Sequence, residues 1–301
     1  MNILLARLGI IVGSILAFAA MGLFSAQHAQ AKDSVAVGEG SFEFTPDAKR
    51  PQHKLTVWTN RPKEFGPSSP IVIVMHGTKR NGQEYRDAWK QLSTDGGFLL
   101  LVPEFPVAEY PETMYQQGNI RDADDKPLPA ERWTFNAIET LFDHAKGLTG
   151  SRVEKYQLYG HSAGGQFVHR FVLFMPEARY ARAIAANPGY YTFPTQAAEY
   201  PYGLKGASLA DRPQPAVFKR DFVVLLGDAD TIRDDPDLRK TPQADAQGLT
   251  RFERGKNFYQ SAKQVAQQSS APFKWQQVIV PGVGHSNAKM APAAARVLFT
   301  P

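Results

Sequence analysis

The sequence predicts an α/β fold, with a mostly parallel central sheet and helices packed on both faces. Short, continuous apolar runs recur along the chain, as strands buried on both faces require. Between them lie stretches with apolar residues at helical spacing, and the alternation persists to the C-terminus. The chain has 301 residues, 43% of them hydrophobic, which is long and apolar enough for one large core.

Residues 1–31 stand apart from that pattern. Arg7 is their only charged side chain, an apolar stretch runs from Leu8 to Phe24, and the segment ends Ala29-Gln30-Ala31. A basic start, an apolar middle and small residues at the end predict a secretory signal peptide over 1–31, leaving 32–301 as the folded domain. No twin arginine precedes the apolar stretch, so the general secretory route is expected. The chain has no cysteine. That excludes disulfides, thiolate metal sites and a cysteine nucleophile, and secretion without disulfides fits a bacterial periplasm or medium.

Strands are expected at 41–45, 55–59, 70–75, 97–102, 156–159, 183–186, 222–226 and 273–280. Ile138, Leu141, Phe142 and Ala145 recur on one helix face, as do Phe258, Ala262, Val265 and Ala266. Residues 162–175 read as a third helix, stopped by Pro176. A short helix is expected to start near Ser286. Residues 104–129 and 190–220 show no period. Both follow strands, which sets them over the carboxyl edge of a parallel sheet, where ligands bind. Tyr190 and Tyr191 at the head of the second stretch are candidate substrate contacts.

Gly160-His161-Ser162-Ala163-Gly164 lies between a strand and a helix. G-x-S-x-G in that setting is a nucleophile-elbow pattern, in which glycines admit a strained serine above the sheet. A serine hydroxyl needs a base. His285 follows the last expected strand and is the candidate. His53 precedes the core, His144 and His169 lie within helices, and His161 is expected to point away from the base position. The base needs an acid to fix its tautomer. Asp230, just past the strand at 222–226, is preferred to Asp228, which is expected to cap its own loop. The order Ser162, Asp230, His285 differs from that of chymotrypsin-like and subtilisin-like enzymes. Met75-His76-Gly77-Thr78 ends the first central strand, so the amides of Thr78 and Ala163 are expected to form an oxyanion hole, with His76 structural.

These motifs together resemble the α/β-hydrolase superfamily, across residues 75–285. More narrowly, the leader, the His76-Gly77 pair, Trp133-Thr134-Phe135 and Asn187-Pro188-Gly189-Tyr190-Tyr191 resemble secreted esterases related to polyhydroxybutyrate depolymerases and feruloyl esterases. Trp133 thereby joins Tyr190 and Tyr191 as a candidate substrate contact. The resemblance implies hydrolysis of a small or oligomeric carboxylic ester by a Ser-His-Asp triad, without metal or organic cofactor. Missing cysteines and extra binding domains argue against attack on an insoluble polymer. A serine peptidase or amidase on the same fold is the alternative, followed by a non-catalytic secreted binding protein. A net charge of +5 without a basic run argues against nucleic acid as partner, and no membrane partner is expected once the leader is removed. The acidic run from Asp228 to Asp237 lacks the glycine and closing glutamate of an EF-hand, so no metal is expected there.

Overall fold

A computed structural model describes residues 35–207 and 215–300; the expected signal peptide lies outside them. In chain order the elements are β1 (Gly38–Phe44), β2 (Leu55–Arg61), β3 (Ile71–Met75), α1 (Gly82–Gly96), β4 (Leu99–Glu104), α2 (Asn136–Thr149), β5 (Tyr156–His161), α3 (Ala163–Phe174), β6 (Tyr180–Ala186), α4 (Pro215–Phe218), β7 (Phe222–Gly227), α5 (Pro242–Asp245), α6 (Arg251–Gln268), β8 (Gln276–Val280) and α7 (Asn287–Phe299).

The described residues form one eight-stranded sheet in the order β1-β2-β4-β3-β5-β6-β7-β8. β1 pairs antiparallel with β2, and β2 antiparallel with β4. Every later pairing is parallel, so the ends of β5, β6, β7 and β8 lie along one edge.

β3 and β7 are buried at every position, which explains their unbroken apolar runs. Their side chains alternate between two cores. Ile71, Ile73 and Met75 pack with Phe142 of α2, Phe171 of α3 and Phe258 of α6. Val72 and Val74 pack with Trp89 of α1 and with Met290 and Leu298 of α7. Helices therefore cover both faces, as expected. The expected helices become α2, α3, α6 and α7.

α1 was not expected from the sequence. It carries Tyr85, Trp89 and Leu92 at i, i+4, i+7, but charged and polar residues between them obscure the stripe. α2 ends at Gly150, whose left-handed backbone (φ 68°) lets its amide reach the Lys146 carbonyl. α6 opens with a capping box, in which Thr250 and Glu253 take each other's backbone amides. The last strand is shorter than expected, starting at Gln276 rather than Phe273.

Candidate active site

Ser162 sits between the end of β5 and the start of α3 with φ 57° and ψ −117°. That strained turn is a left-handed conformation few non-glycine residues adopt. The residues two positions to either side, Gly160 and Gly164, must be glycine. A Cβ on Gly160 would lie 2.2 Å from the Gly164 carbonyl oxygen, and one on Gly164 would lie 2.1 Å from the Met75 carbonyl oxygen. Both obstacles are backbone, so neither can yield.

Asp230 follows the end of β7, and His285 follows the end of β8. Asn187, just after β6, ties these ends together. Its side-chain oxygen accepts from the Gly227 amide at 3.0 Å, and its side-chain nitrogen donates to the Gly284 carbonyl at 3.4 Å. Asp228 accepts the Gly282 amide at 2.7 Å, so it holds the histidine loop from the other side. Asp228 therefore braces the loop and leaves Asp230 for the imidazole.

The three expected residues come together. His285 Nδ1 lies 2.7 Å from Asp230 Oδ2, and His285 Nε2 lies 3.0 Å from Ser162 Oγ. A carboxylate only accepts, so Nδ1 carries the proton and Nε2 is left to accept from the serine hydroxyl. Asp230 is buried, with a side chain 2% exposed, whereas the His285 side chain is 22% exposed. Asp230 has a second partner that sequence reasoning missed. Buried Arg251, at the first turn of α6, places Nη1 3.6 Å from Asp230 Oδ1 and 2.8 Å from Asp235 Oδ2. In the acidic run, Arg251 takes Asp235, while Arg233 of the run itself pairs outside it with Asp245 of α5.

Two other histidines border the site. His161 does not point away from the base, contrary to expectation. Its ring lies against His285 at 4.6 Å between centroids, because Tyr85 of α1 holds its Nδ1 at 3.1 Å. Burial pushes the His161 imidazole well below its ordinary pKa, and nearby His285 and Arg251 push the same way. His76 is structural, as expected. Its Nδ1 donates to the Gly77 carbonyl at 3.0 Å and its Nε2 accepts from the Phe105 amide at 2.9 Å. Burial lowers its pKa to about 3, so it is neutral.

Two cavities meet at Ser162. The larger, about 500 Å³, is bordered by Gly77, Lys79, His161, Ser162, Asp235 and His285. The smaller, about 200 Å³, is bordered by Thr78, Ser162, Ala163, Gln166, Tyr190 and Arg239, with Glu112 and Gln116 from the first aperiodic stretch. The two expected oxyanion residues thus border the same space as Ser162. Ala163 is the first residue of α3, so its N–H has no acceptor within the helix, and the positive helix end points the same way.

The aromatic candidates divide. Tyr190 borders the smaller cavity, its ring held between the guanidinium groups of Arg170 (4.7 Å) and Arg239 (4.6 Å). Its hydroxyl donates to Glu112 at 3.0 Å. Tyr191 is not a substrate contact. It is fully buried and stacks on Phe258 of α6 at 4.5 Å. Trp133 is not one either. Its indole donates to the Leu128 carbonyl at 2.9 Å, and the cavity it borders includes none of Ser162, Asp230 and His285. Gln116, Gln166, Glu112 and Arg239 were missed, because no spacing marks polar residues that converge from separate loops and a helix.

The chain is similar to poly(aspartic acid) hydrolase-1 from Sphingomonas sp. KT-1, at 41% identity over 88% of this chain and all of that one, with a TM-score of 0.85. It is similar to LpqC, a poly(3-hydroxybutyrate) depolymerase from Bordetella parapertussis, at 32% identity over 88% of this chain and 90% of that one (TM-score 0.84). An S-formylglutathione hydrolase from Agrobacterium tumefaciens shares the fold at 17% identity, over 88% of this chain and 95% of that one (TM-score 0.51). No protein-family model matches the chain, and no curated protein matches it.

Proposed function

The chain belongs to the α/β-hydrolase superfamily, and on that premise we propose that it is an exported serine esterase working through an acyl-enzyme. The observation that carries this reading is the continuous hydrogen-bonded line from Asp230 through His285 to Ser162. Ser162 Oγ attacks the ester carbonyl while His285 Nε2 takes its proton. The carbonyl oxygen becomes an oxyanion between the amides of Thr78 and Ala163. His285 returns the proton to the leaving alcohol, and water then releases the acid by the same steps. Asp230 holds the tautomer and stabilises the imidazolium, with Arg251 fixing its second oxygen.

The leaving alcohol must sit beside the nitrogen that protonates it. His285 borders the larger cavity and not the smaller one. The alcohol is therefore assigned to the larger cavity and the acyl group to the smaller. Export rests on residues 1–31, and no helix among the described residues is long and apolar enough to cross a membrane.

Ser162→Ala is expected to lower turnover of p-nitrophenyl acetate by about 10⁴-fold or more, and to abolish labelling by a fluorophosphonate. Undiminished turnover in the variant would sink the assignment. A second reading, amide hydrolysis by the same triad, is favoured by the 41% identity to a poly(aspartic acid) hydrolase, since poly(aspartic acid) is joined by amide bonds. Parallel rates on matched esters and amides separate the two.

A further inference from the structure

Gln116 and Gln166 both border the small cavity beside Ser162, and both are buried, at 7% and 8% exposure. Each amide is pinned by an arginine. Arg80 Nη2 donates to Gln116 Oε1 at 3.3 Å, and Arg170 Nη1 donates to Gln166 Oε1 at 3.3 Å. Arg80 and Arg170 are themselves buried, and Arg170 is further fixed by Thr192 Oγ1 at 2.8 Å. A guanidinium can only donate, so each glutamine must present its oxygen to the arginine. The NH₂ groups are thereby turned the other way, and neither has an acceptor among the described residues. Gln166 Nε2 lies against Gly189, where a Cβ would approach it to 3.2 Å.

Neither NH₂ group is sealed from water, so a ligand that fills the cavity displaces that water and must supply acceptors of its own. We propose that Gln116 and Gln166 form an acyl-side subsite selecting substrates whose acyl group carries a second carbonyl or carboxylate oxygen beyond the scissile carbonyl. The subsite rests on the esterase reading above, which assigns the acyl group to this cavity. Saturated hydrocarbon acyl groups leave both amides unmatched and are selected against.

The test compares diethyl succinate, monoethyl succinate and ethyl heptanoate, the last close in length to diethyl succinate but lacking the second carbonyl. Hydrolysis is followed by pH-stat. Wild-type kcat/KM for the better succinate is expected to exceed that for the heptanoate by about tenfold or more. The diethyl and monoethyl arms then tell a neutral carbonyl from a carboxylate. Gln116→Glu keeps an oxygen for Arg80 and replaces the donors by an acceptor; it should bring the ratio towards one. Gly189→Ala, which crowds the Gln166 amide, should lower the same ratio. A wild-type ratio near one overturns the subsite whether or not the variants fold, as does an unchanged ratio in both variants. Failure of wild type to hydrolyse any ester would instead overturn the esterase reading.

Discussion

His76, His161 and His169 are imidazoles that folding strips of water, and burial lowers the pKa of each. Their unfolded value is near 6.5, so below that pH the unfolded chain binds protons that the folded chain refuses. Stability is then complete above about pH 6.5 and falls as the pH drops. For His76, folded near pKa 3, the loss reaches about 2 kcal/mol at pH 5. Thermal melts at pH 7.5 and 5 check this: the midpoint should fall in acid, and an unchanged midpoint would contradict neutral burial. At this scale the convergence of Ser162, His285 and Asp230 was readable, because each stands just past an apolar run and their order is distinctive. Arg251 and the two pinned glutamines were not. Their roles come from partners far away in sequence, Asp230 for Arg251 and Arg80 for Gln116, and no local pattern records such a pairing. His161 was misjudged for a similar reason, since Tyr85 on α1 sets where its ring turns.

Elements were readable where one periodicity dominated. β3 and β7 are apolar throughout because both faces are covered. α1 was missed because only one side of it is buried, and Glu84, Asp87 and Lys90 interrupt the apolar spacing on the other. α6 shows what a short polar signal contributes. Its capping box satisfies two backbone amides at the helix start, beside Arg251. Thr250→Ala should cost about 1 kcal/mol, lowering the melting midpoint by roughly 2–4 °C. Differential scanning calorimetry measures it directly, and no change would mean that water caps the helix equally well.

For the whole molecule, parallel pairing from β3 to β8 is what brings three distant residues to one edge. Alternation of strands and helices made that arrangement readable, while the antiparallel pairing of β1 and β2 onto β4 had no mark beyond partial alternation. The strand order has a temporal consequence. β8 is both the outermost strand on its side of the sheet and the last strand made. His285, which follows β8, therefore reaches Ser162 only after the sheet to which β8 pairs exists. Regain of esterase activity on refolding should lag behind or coincide with recovery of tryptophan fluorescence, and should never precede it; stopped-flow fluorescence with activity sampling decides this.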